Sequence, residues 1–433
     1  MLLYAHTLTP RLRYITHWFA AQFLHDSIEC TDSIEKYQAH TGHCLNYSKQ
    51  QIRKDECWIQ PVSLLFESDL RPIVPDLTTT QPFPVFFCTE GEMGFDVFAA
   101  SFYLISRYEE YLPYTTDAYG RFPHTQSVAF RHQFLERPLV DEWMLQFAIH
   151  LQTLFPSLAV QTPRFEHLAT YDIDESFAYR HKPLWLQAAG LLRDLFAGRL
   201  SWVAERIRVL QHRAADPYDA VAFMRSLHSD LSTRPISFLL VAQTRSKYDK
   251  NLSPDHPAQR ACIRLLSEWS EIALHPSWQS GDKPNLLMEE KQKLESILNG
   301  PITRSRQHYI RFRLPDTYRL LITAGLTADY SMGYGSINGF RASTARSFQW
   351  FDLKRNEVSS LLVHPFCYME ANSFYEQHHT IEQAELQWKQ LEKAVRQSGG
   401  TLITVWHNTI LGTQTRFAGW RQRYAQWIRS MNH

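Results

Sequence analysis

The sequence has no long apolar run. No stretch of its 433 residues reaches the length that crosses a bilayer as a helix. Its first residues, Met1 to Arg13, lack the unbroken apolar segment and small-residue cleavage site of a secretory leader, so the expectation is a cytoplasmic protein. Charge bias is missing too. Forty-five Lys and Arg against 44 Asp and Glu leave a net charge of +1, which removes any global electrostatic case for nucleic acid. None of the six cysteines (Cys30, Cys44, Cys57, Cys88, Cys262 and Cys367) stands at CxxC spacing, so they read as buried free thiols in a reducing compartment. There is no internal repeat and no low-complexity tract.

What is present is a globular composition, 44% hydrophobic and 21% charged, in a chain long enough to suggest two domains. Aromatic residues make up 13%, enough to fill cores and also to line a sugar-stacking cleft.

In the first part, Leu2–Ala5, Trp58–Ile59, Val62–Phe66 and Pro82–Cys88 read as strands. Arg11–Leu24, Phe95–Tyr111 and Glu142–Phe155 read as helices, with Asp96 as a cap. From Pro163 onward the signals alternate. Strands are expected at Phe165–Tyr171, Pro235–Ala242, Glu271–Leu274, Ser359–Val363 and Thr401–Trp406. Helices are expected at Pro257–Ser270, Leu286–Leu298, Thr317–Ala324 and Thr380–Ser398. Alternation of this kind predicts a parallel α/β sheet, doubly wound or closed as a barrel, with its chemistry at the C-terminal strand ends.

Three strand ends carry reactive groups. The first ends in Asp172 and Asp174, two apart and so on one side of an extended segment. Carboxylates placed together call for a cation or a shared proton, although a solvated loop would also produce them. The second ends in His275-Pro276, the third in His407-Asn408. Each histidine alone reads as well as a structural turn residue.

These stretches resemble the NodB-homology polysaccharide deacetylases (carbohydrate esterase family four). Thr170-Tyr-Asp-Ile-Asp174 is similar to the family's first motif and Glu271-Ile-Ala-Leu-His-Pro276 to its second. Ser305-Arg-Gln-His-Tyr-Ile-Arg311 is similar to its third, arginine-containing motif, and Leu402-Ile-Thr-Val-Trp-His407 to its last. The similarity runs over residues 166–410 in the family's order. With Asp329–Gly333, Gly339–Thr344 and Phe102–Tyr111 it extends to a bacterial subgroup that carries an extra N-terminal domain. The resemblance implies a distorted (β/α) barrel over 164–433, with a helical insert at about 183–230, preceded by a smaller α/β domain over 1–163.

It further implies Asp172 as general base, Arg306 as the group holding it, and His407 as general acid. Asp174 and His275 are the implied ligands of a divalent metal, zinc first, cobalt or nickel next. The family's second motif has two histidines four residues apart, whereas the fourth residue after His275 is Gln279. His308 is the preferred third ligand, with Gln279 and Glu271 behind it. The implied activity is removal of an acyl group, N-acetyl first, from a carbohydrate in envelope or surface-polysaccharide metabolism. A metal-independent amide hydrolase on the same fold and a non-catalytic carbohydrate-binding or scaffold protein remain the alternatives. The sequence sets no oligomeric state.

Two further features stand beside the motifs. Trp278, Tyr309, Tyr334 and Arg341 are candidate cleft residues, with core packing as the alternative. Pro183–Arg213 joins a wide apolar face to Arg193, Arg199, Arg206, Arg208 and Arg213. It is expected to cover an apolar flank of the barrel, with peripheral membrane contact as the second reading.

Overall fold

The structure is a computed structural model and describes residues 1–78, 83–228 and 234–431. The chain opens on a small parallel sheet of β1 (Leu2–Tyr4), β2 (Glu29–Thr31), β3 (Cys44–Tyr47) and β4 (Glu56–Ile59), in the order β2-β1-β3-β4. The three longest helices of this part, among the described residues, are α1 (Pro10–Phe23), α2 (Val97–Ile105) and α3 (Leu139–Leu154). Thr9 caps α1 by accepting from the Leu12 N–H, with Pro10 pre-set at the first turn. Asp96 caps α2 through the Ala99 N–H.

The second sheet has nine strands. They are β5 (Phe165–Ile173), β6 (Ile236–Leu240), β7 (Glu271–His275), β8 (Arg304–Ser305), β9 (Ala328–Asp329), β10 (Phe348–Asp352), β11 (Glu357–Val363), β12 (Tyr368–Met369) and β13 (Gly400–His407). Their order is β10-β11-β9-β8-β7-β6-β5-β13-β12, parallel throughout except for the β10–β11 pair. The sheet curls into a half-barrel. Among the described residues its edge strands do not pair, so the expected barrel is open on one side. At one edge β10 and β11 form an antiparallel hairpin, and α1 lies against it: Tyr14 donates to the Gln349 carbonyl at 2.7 Å and Trp18 to that of Ser347 at 3.1 Å. Covering an edge with a helix blocks stray strand pairing. Third from the other edge, β5 lies between β13 and β6, with Asp172 in register with His407 on one side and Phe238 on the other.

Four expectations are corrected. Val62–Phe66 is not a strand but ends in a 3-10 turn at Ser63–Phe66, because Asp96 takes the Val62 N–H that a ladder would need. Phe83–Cys88 makes only single bridges, Val85 to Thr78 and Cys88 to Phe95, and Phe86 turns inward onto Trp143; Pro82 lies outside the described residues. The helix expected over 95–111 stops at Ile105, and Arg107 adopts a left-handed conformation (φ 55°). Finally, Pro183–Arg213 forms two helices, α4 (Leu184–Phe196) and α5 (Leu200–Leu210), whose apolar stripes face outward rather than onto the barrel. The end of the expected 183–230 insert, residues 229 and 230, lies outside the described residues.

The left-handed turn at Arg107 serves a buried ion network joining the two sheets' territories. Arg107 donates to Glu110 at 2.7 Å and to Glu109 at 2.8 Å. Glu110 also accepts two bonds from Arg341, at 2.8 and 2.6 Å. Burial opposes ionisation of Glu110, but Arg341 and Arg107 outweigh it and hold the carboxyl below its usual range. Tyr334 lies against Arg107, so Tyr334 and Arg341 belong to this network and not to a cleft. A second link runs from Asp141 to the Thr344 hydroxyl and the Ala345 N–H, at 2.5 and 2.7 Å. One apolar core runs through both parts.

Removing one member of such a network leaves the others buried and unpaired. Glu110→Ala should therefore lower unfolding free energy by about 3–5 kcal/mol. Urea unfolding should still show one transition; a loss under about 1 kcal/mol would mean that the network does not hold the parts together.

Candidate active site

The C-terminal strand ends of the larger sheet open into a cleft of about 480 Å³. Asp172 and Asp174 arrive from β5, His275 from β7, His308 from the turn after β8, and His407 from β13. The sheet brings together groups from different strand ends that are 33 to 235 residues apart because its parallel strands end at one face.

Asp174 is the centre. Its Oδ1 lies 3.3 Å from His275 Nε2, and its Oδ2 lies 3.6 Å from His308 Nε2 and 3.8 Å from His407 Nε2. Each imidazole has its other nitrogen tied. His275 Nδ1 donates to the Arg306 carbonyl at 2.5 Å. His308 Nδ1 donates to Asp249 at 3.1 Å. His407 Nδ1 donates to Glu370 at 3.0 Å, and Glu370 also takes the His407 N–H. A histidine whose Nδ1 is tied in this way turns its Nε2 to the cleft, and the three Nε2 atoms meet at one carboxylate.

Asp172 is turned aside from this group. Its Oδ1 accepts from Arg306 Nη1 at 2.8 Å, and its Oδ2 stands 3.7 Å from His275. Arg306 is fully buried, stacks over Phe238 at 4.1 Å, and donates its Nε to the Tyr330 carbonyl at 3.0 Å. Its position, and so that of the carboxylate it grips, is fixed from three sides.

Among the described residues, only Asp172 of the four carboxylates Asp172, Asp174, Asp249 and Glu370 is paired with a guanidinium, so the other three rely on the histidines for positive charge. The histidines show it. Burial would lower both, yet Asp174 and Asp249 push His308 up to about 9. Glu370, Asp174 and Asp172 push His407 up to about 10. Burial would raise the Asp174 carboxyl, but His308, His275 and His407 hold it well below the usual range. Protons can supply the missing charge, and so can a metal ion.

The donor set fits an ion. One oxygen of Asp174 and one nitrogen each of His275 and His308 lie within 4.8 Å of one another. A tetrahedral zinc shell with its usual bond lengths spaces donors by about 3.3–3.5 Å. Asp174 Oδ1 is buried without a hydrogen-bond partner, the condition of an atom awaiting a ligand. The weaker third-ligand candidates are corrected. Gln279 donates to Asp249 at 3.1 Å and to the Thr244 carbonyl at 3.0 Å, behind His308. Glu271 begins β7 and pairs with Arg304 at 2.6 Å, about 13 Å of strand away from His275.

Sequence reasoning missed five contributors, Asp249, Glu370, Tyr119, Arg121 and Tyr248. Asp249 and Glu370 orient the histidines. Tyr119 and Arg121 come from the N-terminal part. Tyr119 stacks on Tyr309 at 5.5 Å, and Tyr248 stacks on Trp278 at 4.1 Å, so Tyr119, Tyr248 and Tyr309 form an aromatic wall with Trp278 behind it. Arg121 donates to the Tyr309 carbonyl at 2.7 Å. It passes Gly335, where a Cβ would lie 2.1 Å from its Nη1. Tyr309 and Ile310 both have positive φ, 59° and 53°. Such strain persists only where surroundings impose it, and Arg121 is part of the clamp.

A model of a family of unknown function, DUF7033, matches residues 1–156. No curated protein matches the chain. Solved structures similar to it include an assigned polysaccharide deacetylase of Mycobacterium smegmatis (15% identity, TM-score 0.39, covering 62% of this chain and 85% of that one). Others are a polysaccharide deacetylase of Bacillus cereus (10%, 0.31, 62% and 89%) and one so assigned from Pseudomonas aeruginosa PAO1 (12%, 0.40, 74% and 93%).

Asp249→Ala releases His308 without touching the other donors. It should weaken divalent-ion affinity about 10–100-fold, read by competition with a chromogenic chelator. Unchanged affinity would exclude His308 from the donor set.

Proposed function

We propose that the protein is a metal-assisted hydrolase that removes an acyl group, N-acetyl first, from a carbohydrate. The observation that carries this reading is the division of labour at one cleft: a donor triad, a separate carboxylate held by a buried arginine, and a histidine held by a buried glutamate. Asp174, His275 and His308 would hold the ion, with zinc the best match to one oxygen and two nitrogens. A divalent ion there would polarise the acyl carbonyl and acidify an attacking water.

The chain's own groups supply the rest. Asp172 accepts the proton of that water, and Arg306 keeps the carboxylate in one orientation. His407 carries a proton on Nε2 and hands it to the leaving nitrogen or oxygen as the bond to the acyl carbon breaks. Glu370 stabilises that imidazolium and fixes its tautomer. Tyr119, Tyr248 and Tyr309 offer flat faces to a pyranose ring. This assignment carries with it a distorted barrel of the polysaccharide-deacetylase type and a place in envelope or surface-polysaccharide metabolism.

The test is acetate release from a panel of N- and O-acetylated sugars by the metal-loaded protein. Asp172→Asn should lower kcat about 10²–10⁴-fold while retaining the ion. Turnover equal to wild type in Asp172→Asn would remove this residue as the base and the mechanism with it.

A further inference from the structure

The α4–α5 hairpin is built inside out. A helix lying on a soluble protein turns its apolar stripe inward. In α4 the stripe of Trp185, Leu192, Leu195 and Phe196 is exposed, at 70%, 54%, 48% and 88%, and the buried positions are Gln187 and Asp194. In α5 Leu200, Ile207 and Leu210 are exposed, and Arg206 is buried with Val209. What holds the two helices together is polar: Arg206 donates to Asp194 at 2.8 Å and to Gln187 at 3.0 Å. Arg206 is therefore an internal strut and not one of the hairpin's surface charges.

The exposed charges that flank the stripe are all of one sign. Arg193, Arg199, Arg208 and Arg213 face outward. The hairpin's two acids are occupied, Asp194 by Arg206 and Arg193, Glu205 by the Tyr179 hydroxyl. An exposed apolar stripe bordered by arginines is complementary to an anionic lipid surface, which offers acyl chains beneath and phosphates at the rim.

A second cleft, of about 540 Å³, lies beneath the hairpin and shares Glu175, Tyr218, Lys250 and Arg416 with the reaction cleft. Its acids are already paired, Glu175 with Lys182 and Asp194 with Arg193 and Arg206. Among the described residues, Arg199, Arg245, Lys247, Lys250 and Arg416 line it with no carboxylate within ion-pair distance. Arg206 lines it too; it is 6% exposed and its Nε has no partner. This is a built site for an anion with several oxygens.

We infer that the hairpin docks the protein on an anionic membrane surface, and that the basic cleft holds the phosphate of a lipid-carried sugar whose acyl group reaches Asp174. The sugar and its acyl group rest on the function proposed above; the docking and the phosphate site do not. No helix of the described residues is long and apolar enough to cross a membrane, so the contact is peripheral.

The full chain is sedimented with vesicles of phosphatidylcholine, alone or mixed with phosphatidylglycerol. The comparison variant is Trp185→Ser/Phe196→Ser, two side chains exposed enough to leave the fold intact by circular dichroism. Wild type should be recovered with the anionic vesicles about tenfold over the neutral ones, and the variant should lose that gain. Equal recovery of the two proteins would overturn the docking. So would a wild-type dimer, seen by analytical ultracentrifugation, that the variant dissolves, since a second copy would then cover the stripe. For the cleft, inorganic pyrophosphate is titrated calorimetrically. Arg199→Glu/Lys250→Glu should weaken it at least about tenfold. Equal binding would overturn the phosphate site. Neither measurement needs turnover, so a protein inactive on acetylated sugars would refute the proposed hydrolysis and leave these results to stand or fall separately.

Discussion

A single carboxylate, Asp174, faces three imidazole nitrogens, and the surrounding structure is arranged to keep it there. His275, His308 and His407 come from three different strand ends, and each is locked from behind by a carbonyl or a buried acid. The sheet order makes this possible. With β13 and β6 on either side of β5, Asp172 and His407 are neighbours in register while Arg306 reaches across from the turn after β8. The cost is a surplus of buried negative charge that Arg306 alone does not balance. Stability and function meet at that surplus: it is tolerable only with protons on the histidines or a cation between them.

The N-terminal part is bound into this arrangement rather than attached to it. Its α1 closes the exposed edge of the large sheet, and its Arg107 and Glu110 share a buried ion network with Arg341. Arg121 extends past Gly335 to grip the strained turn carrying His308 and Tyr309, and Tyr119 supplies part of the cleft wall. Displacing this part would free the His308 turn and uncover a strand edge, which is why one core spans both.

Legibility in the sequence followed strand length and burial. Strands buried on both faces, such as Ile236–Leu240 and Gly400–His407, read as apolar runs, and their terminal Asp172, His275 and His407 could be found by looking where those runs stop. β8, β9 and β12 have two residues each and leave no period to detect. Glu370, which follows β12, was missed for that reason, and Asp249 because it sits in a loop nine residues beyond β6. The Arg107 break was hidden because an arginine with two following glutamates looks like a solvated helix end, whereas all three are buried and Glu110 pairs with Arg341. Tyr334 and Arg341 followed the motifs in sequence but turn away from the cleft. The direction of the hairpin's apolar face could not be read at all, since a helical period gives a stripe and not what the stripe meets.

The most direct measurement is a cobalt(II) titration of the metal-free protein followed by visible absorption. The account predicts ligand-field bands that saturate at about one equivalent, with the intensity of a four- or five-coordinate nitrogen and oxygen site, and that disappear in His308→Ala. Bands that persist unchanged in His308→Ala, or no bands in the wild type, would contradict an ion held by Asp174, His275 and His308.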